Sequence, residues 1–310
     1  MTSIKLKIAD IIIELKSKFR LKPYSKYEKR KRAPERLKNF FYHGKKKKAD
    51  IKITVNIVDR FPKIEKTRPV FITCHFQDGS ENWRLLKKGD TYVFQSPLKT
   101  KNQLMLISRD FDRVTAYLLS GEDRAKAWRP EDIVYDFIQV LLINYFALHK
   151  KGIFVHGAGL KDINGSGLVF AGKSGAGKST TARIWHRFSR AMILNDDRII
   201  LRRQNGEYFI YSSPWHGDFS DYLCSAKGRA PLQRLFFIRH APDNHARRIT
   251  QKEAFRQLYP ALFPTFWDKQ KLENIVSFCQ QLINRVPCYA LGFRNNQKVI
   301  SFVRDNCQKR

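Results

Sequence analysis

Residues 172–179 read Gly-Lys-Ser-Gly-Ala-Gly-Lys-Ser, and no other stretch restricts what the chain can become as tightly. The run before it, Gly167-Leu168-Val169-Phe170-Ala171, has the length and apolar content of a short buried strand. The run after it, Thr180-Thr181-Ala182-Arg183-Ile184-Trp185, reads as the first turns of a helix. Strand, glycine-rich loop and helix in that order make a phosphate-binding loop. The glycines let the backbone curl until successive N–H groups point inward at an anion. The helix N-terminus adds partial positive charge. Gly172, Lys173, Ser174, Gly175, Ala176 and Gly177 form the cradle, with Thr180 at the helix start. Lys178 reaches the β- and γ-phosphates, and Ser179 ligates Mg²⁺. The expected ligand is a nucleoside triphosphate, with ATP and Mg²⁺ as cofactors.

The 310 residues suffice for one large domain or two ordinary ones, and a 43% hydrophobic content supplies a core. The formal net charge is +31. Residues 1–50 hold 17 Lys and Arg against 5 Asp and Glu, which contributes +12. An excess of this kind suits nucleic acid, an anionic membrane surface, an acidic substrate, or solubility alone. Cys74, Cys224, Cys279, Cys288 and Cys307 are odd in number and contain no C-x-x-C pair. That argues against a disulfide framework and against structural zinc. A reducing cytoplasm fits the cysteines and the use of ATP. No secretory signal is evident, since Ile11-Ile12-Ile13 is short and has charges before it. The longest apolar stretch, 138–148, is interrupted by Asn144 and is too short to span a bilayer.

Residues 1–50 are expected to form a basic amphipathic arm. Ile4, Ile8, Ile11, Ile12, Leu15 and Phe19 fall near helical spacing with lysines between them. Such a helix lies on a membrane, docks a partner, or packs on the protein's own core. Residues 22–48, with Lys45-Lys46-Lys47-Lys48, read as a solvated linker. Residues 51–130 read as a small antiparallel β region. Ile51, Ile53, Val55 and Ile57 alternate, and short β-rich runs follow at 70–72, 92–94, 104–107 and 114–117. Asp78-Gly79 and Gly89-Asp90 mark turns between them. Residues 131–310 hold the loop and a helical C-terminal part. Pro130 opens a helix to about His149, with acids at its positive end. Strands are expected at 152–155, 167–171, 191–194, 235–239 and 288–293, with a hairpin at Asn205-Gly206 and helices near 251–262 and 268–285. The expected class is α/β, α+β overall.

Three pieces lie close together along the chain. They are Val155-His156-Gly157, the loop, and Ile193-Leu194-Asn195-Asp196-Asp197. A phosphate-loop enzyme needs an acid on a neighbouring strand to hold Mg²⁺. Adjacent aspartates can divide the work, one on the metal and one taking a proton from an attacking hydroxyl. His156 is either a further acid–base or phosphate contact, or a hydrogen-bonded core histidine.

The His-Gly pair, the G-x-S-G-x-G-K-S loop and the strand ending in Asp-Asp resemble the HPr kinase/phosphorylase family. The nucleotide core of that family resembles ATP-dependent phosphoenolpyruvate carboxykinase. The similarity covers about residues 150–220. More loosely, 50–305 resembles HPr-kinase-like proteins, including serine kinases that tailor lasso-peptide precursors. Their Pro-Trp-His-Gly-like segment corresponds to Ser213-Pro214-Trp215-His216-Gly217-Asp218. The resemblance implies that Lys178 grips the β/γ-phosphates and Ser179 binds Mg²⁺. It implies Asp196 as general base, Asp197 as metal ligand, and His156 as the residue that assists Asp196 or contacts the transferring phosphate. Asp218 is implied as a further metal ligand, where HPr kinases place a glutamate. The chain departs from the family in lacking its Glu-containing signature and in carrying Thr180 where an acid is common. HPr is therefore not the expected acceptor.

The expected activity is transfer of the ATP γ-phosphate to a hydroxyl, serine foremost, on a peptide, protein or small molecule. The alternative is a nucleotide-dependent switch recruited to an anionic surface. Membrane contact through residues 1–48, peripheral on the inner face, ranks above nucleic acid, because no helix-turn-helix and no RNA-binding aromatic signature is present. Trp215 and His216 read as either a packed corner or a substrate loop. Arg234, Arg239, Arg247 and Arg248 read as surface charge, with phosphate binding as the alternative.

Overall fold

In the computed structural model, Thr2–Ile8 (β1) and Ile11–Ser17 (β2) form an antiparallel hairpin, not the amphipathic helix expected over 3–20. The turn explains the difference. Ala9 and Asp10 both have positive φ, 46° and 61°, as a two-residue hairpin turn requires. On either side the buried residues alternate, Leu6 and Ile8 before the turn, then Ile11, Ile13 and Leu15 after it. Ile12 confuses the reading, because it is also buried and lends the segment a false period near 3.6.

The structure describes residues 1–21, 37–44, 48–65, 67–74, 79, 81–96, 103–120, 127–128, 130, 133–215, 217 and 228–306. Most of the basic linker expected over 22–48 lies outside them. The chain divides into two units. The first is Met1–Tyr145 with Phe266–Lys269, and the second is Phe146–Thr265 with Gln270–Arg310.

The first unit continues with Arg20–Leu21 (β3), Ile51–Val58 (β4), Pro69–Cys74 (β5), Glu81–Lys88 (β6), Thr91–Gln95 (β7), Gln103–Ser108 (β8), Arg113–Leu119 (β9) and Ala127–Trp128 (β10). Eight of these strands make one sheet in the order β1-β2-β4-β9-β8-β7-β6-β5. β3 and β10 pair separately, in parallel. The large sheet is mixed rather than antiparallel, since β4 runs parallel to both β2 and β9. The N-terminal hairpin therefore extends the β region that was expected to begin at residue 51. β4 keeps the predicted alternation, with Ile51, Ile53, Val55 and Ile57 buried. A π-turn at Val134–Ile138 leads into helix α1, Gln139–Leu148, and the division between the units falls inside this helix.

The second unit holds the glycine-rich loop. Its strands are Ile153–Lys161 (β11), Gly167–Ala171 (β12), Met192–Asn195 (β13), Arg198–Gln204 (β14), Glu207–Tyr211 (β15), Arg229–His240 (β16), His245–Arg248 (β17) and Cys288–Phe293 (β18). Its helices are Lys178–Phe188 (α2), Gln251–Leu258 (α3), Lys269–Arg285 (α4) and Lys298–Asn306 (α5). β12, β16 and β18 are parallel neighbours. β11 pairs with β12 and β14, and β15 links β14 to β16.

Consecutive residues of the central strands serve opposite cores. Val169, Ala171, Leu235 and Phe237 pack with Leu258, Phe278 and Leu282 of α3 and α4. Leu168, Phe170, Phe236 and Ile238 pack with Trp185, Val299 and Val303 of α2 and α5. Helices thus cover both faces of the sheet, and the strands read as unbroken apolar runs for that reason. The unit is α/β, and the whole chain is a mixed α and β protein, as expected. α3 is capped by Thr250 and Glu253 in a reciprocal box. β6, β17 and α5 carry no clear signal in the sequence. Among the described residues, no helix is long and apolar enough to cross a membrane.

Candidate phosphate-binding site

β12 delivers the loop at the end of the sheet where the parallel strands β16 and β18 also finish, the edge at which α/β sheets take ligands. The loop turns through Gly175, φ 76°, and Gly177, φ 98°, which caps α2. Gly177 has two reasons to be glycine. Its backbone is left-handed, and a Cβ there would lie 2.6 Å from Phe293 Cζ and 3.0 Å from His240 Cε1. The loop is therefore seated on the last residues of β16 and β18. Gly175 meets the opposite environment, with nothing within 4 Å of an added Cβ, so that face of the backbone is open to a ligand.

Lys178 is buried, 7% exposed, and its ammonium donates to the carbonyls of Gly172 and Lys173, both at 3.0 Å. Burial pushes its pKa down, and the nearby charge of Asp197 opposes that fall. Ser179 and Thr180 follow in the first turn of α2, partly buried. Lys173, Ser174 and Gly175 are exposed.

β13 brings the carboxylates. It ends at Asn195, which is fully buried and makes the turn that aims them. Asn195 Oδ1 accepts the N–H groups of Asp197 and Arg198, each at 2.8 Å. Its Nδ2 donates to Ser213 O at 3.3 Å, to Ser213 Oγ at 3.1 Å, and to Trp215 O. Ser213 Oγ in turn donates to Arg198 O at 2.5 Å. One amide side chain thus fastens the Asp-Asp turn to the 213–215 segment. Its loss leaves several buried polar groups unpaired. Asn195→Ala is expected to cost about 2–4 kcal/mol of stability. Thermal unfolding measures this, and a shift of a degree or less would show that the turn does not depend on Asn195.

The two aspartates do different things. Asp197 Oδ1 lies 3.1 Å from His156 Nε2, and Oδ2 lies 3.5 Å from Arg198 Nε. Burial alone would raise its pKa. The His156 hydrogen bond and the charges of Arg198, His156 and Lys178 outweigh it and hold the carboxyl below its ordinary value. Asp196 is 1% exposed, and its Oδ1 accepts the Gly217 N–H at 3.0 Å. Asp197 is thus the carboxylate hydrogen-bonded to His156, and its charge is felt by Lys178. His156 is partly exposed and lies opposite Arg198 where β11 pairs with β14. Asp218 and His216 lie outside the described residues. Trp215 is buried, edge-on to Phe154 at 5.7 Å, so it packs as a corner.

A cavity of about 700 Å³ opens along the loop. Its walls include His156, residues 172–176, and Arg239 and His240 at the end of β16, with Arg256, Gln257 and Pro260 from α3 and the turn after it. Of the four arginines singled out in the sequence, Arg239 reaches this cavity, whereas Arg247 is bound to Glu253 at 2.9 Å. Sequence reasoning missed Asn195 and Arg256. The asparagine was legible only as a residue before Asp-Asp. Arg256 reaches the site through packing of α3, which no local pattern reveals.

The residues present suit a triphosphate with a divalent ion. The open glycine face and the helix N-terminus match the phosphate chain. Mg²⁺ commonly uses one or two carboxylates and completes its shell with phosphate oxygens and water. An ionised Asp197 and the Ser179 hydroxyl are donors of the right chemistry. Among the described residues, no group of three His, Cys, Asp or Glu forms a metal cage.

A protein-family model described as SynChlorMet cassette protein ScmC matches residues 126–296, more than half of the chain. A search of the curated proteins returns no match. Among solved structures, the Hpr(Ser) kinase/phosphatase from Coxiella burnetii matches at 11% identity and a TM-score of 0.30, over 50% of this chain and 95% of that one. A likeness that slight decides nothing about activity.

Proposed function

We propose that this chain, which belongs to the SynChlorMet cassette protein ScmC family, is an ATP-dependent phosphotransferase acting on a hydroxyl. The observation that supports it most is Asp197, an ionised carboxylate that is hydrogen-bonded to His156 and feels the charge of the loop lysine Lys178. A bare phosphate-holding loop needs no such pair. A phosphoryl-transfer site needs charge neutralisation, in-line positioning and a proton acceptor.

The N–H groups of residues 172–177 and Lys178 bind the phosphate chain. Ser179 and Asp197 would hold Mg²⁺, which supplies charge neutralisation at the phosphate oxygens. In the reaction the acceptor oxygen attacks the γ-phosphorus, the bond to the bridging oxygen breaks, and ADP leaves. The hydroxyl proton goes to His156. Its Nε2–H is engaged by Asp197, which leaves Nδ1 as the accepting nitrogen. Asp196, implied as base by the resemblance, accepts the Gly217 N–H, and in this reading its part is to brace that backbone. Serine on a peptide remains the expected acceptor, and HPr does not.

The test is transfer of label from γ-labelled ATP with Mg²⁺ to acceptors in cell extract. His156→Gln is expected to lower transfer by about 100-fold while ATP affinity holds. A folded Asp196→Asn variant that loses transfer, beside a His156→Gln variant that keeps it, would return the base to Asp196. ATP binding with no labelled acceptor would sink the transferase reading in favour of a nucleotide switch.

A further inference from the structure

The cavity beside the loop is more cationic than a nucleotide requires. Its lining includes Lys173 from the loop, Arg239 from the end of β16 and Arg256 from α3, and among the described residues it contains no Asp or Glu. These three come from separate elements and converge on one space. None of them forms an ion pair among the described residues, and Arg239 only nears the His245 ring at 3.5 Å. Elsewhere in this unit the arginines that fasten structure do have carboxylates, as with Arg304 on Asp162 at 2.6 Å and Arg247 on Glu253 at 2.9 Å.

Charge counting separates two uses for these cations. A triphosphate brings about four negative charges and the ionised Asp197 a fifth, against four positive ones on Lys178, Lys173 and one divalent ion. Arg239 and Arg256 more than make up that difference and leave a surplus of about one positive charge. Both are exposed, so their guanidinium groups cost little to hold there without a ligand. Guanidinium forks match carboxylate or phosphate oxygens in pairs, and two of them suit a group of one to two negative charges. His156, the residue assigned the acceptor's proton, lines the same cavity.

We infer that Arg239 and Arg256 form an anion subsite for the acceptor, so that the hydroxyl to be phosphorylated sits on a molecule bearing a carboxylate or phosphate close by. This rests on the phosphotransferase reading above, and it narrows the acceptor class within it. Neutral alcohols enter the same cavity without the pairing that fixes their position.

The experiment uses the full chain and two matched pairs of probes. One pair is a short peptide with serine between two aspartates and the same peptide with asparagines instead. The other is glycerol 3-phosphate and glycerol, which separates a peptide source of the anion from a small-molecule source. Calorimetry measures binding with alanine in place of the peptide serine, so the readout does not depend on transfer. The anionic member of at least one pair is expected to bind about tenfold or more tighter than its neutral partner. Arg239→Gln with Arg256→Gln is expected to abolish that preference and leave ATP affinity within about twofold. Equal binding of anionic and neutral probes overturns the subsite. So does a double variant that weakens ATP as much as the probes, because the cations would then belong to the nucleotide. Anion-selective binding without any label transfer keeps the subsite and removes the phosphotransferase reading instead.

Discussion

Lys178→Ala is expected to lower ATP affinity by about 100- to 1000-fold, equivalent to about 3–4 kcal/mol. The ammonium sits at the start of α2 with its donors turned back on the loop carbonyls of Gly172 and Lys173. A phosphate chain offers it charged acceptors in place of neutral ones, and each such bond is worth about 1.5–3 kcal/mol. The folded state itself loses less. Two neutral hydrogen bonds disappear, while the cost of keeping an ammonium largely out of water disappears with them. Thermal unfolding without nucleotide should therefore move by only a few degrees. The separate rise in unfolding temperature that ATP gives the natural chain should vanish. A variant that still binds and is still stabilised by ATP would place the triphosphate somewhere other than this loop.

Asp197→Asn is the second large effect, with an expected fall of about 1000-fold in label transfer at saturating ATP. It removes a metal donor, the partner of His156 and the charge that supports Lys178 in one substitution. The side chain keeps its shape, so the fold should survive. Stability should nonetheless change its pH dependence. The folded pKa of Asp197 lies below the unfolded value, so its contribution is complete above the unfolded pKa and is lost as pH falls through the folded one. The natural chain should then lose more stability between neutral and acidic pH than the asparagine variant does. Lys178 should respond too, since burial would depress its pKa without opposition from Asp197. An asparagine variant with natural transfer rates would remove Asp197 from the chemistry.

The loop and its flanks were legible because the motif is local. A turn, a strand and a helix start need only neighbouring residues, and β12 and β18 fall where the sequence places them. The Asn205-Gly206 hairpin is equally local, with both residues at positive φ, 49° and 85°. The N-terminal hairpin was misread because isoleucine serves either element and Ile12 blurs the period. Its strand identity depends on pairing with β4, which lies more than thirty residues on. The division of labour between Asp196 and Asp197 was likewise invisible. Two identical side chains in sequence become different groups once Asn195 fixes the turn and His156 arrives from β11. Arg256 belongs to the same class of non-local fact.

The paired cores of the second unit carry a consequence for how the loop is kept in step. A strand with one polar face cannot slide by one residue, because it would bury charge. β12 has no polar face, so polarity gives it no such lock. Shape must do that work. Phe170 stacks on Phe236 with centroids 5.2 Å apart, a fit that neither Val169 nor Ala171 could reproduce. A Cβ on Gly167 would stand 2.6 Å from Pro231 O, and one on Gly157 would stand 3.1 Å from Phe170 O. These close approaches at both edges of β12 set a single frame for the strand. The distance between the loop lysine and the carboxylate in the turn after β13 is thereby decided by steric volume several residues away from either.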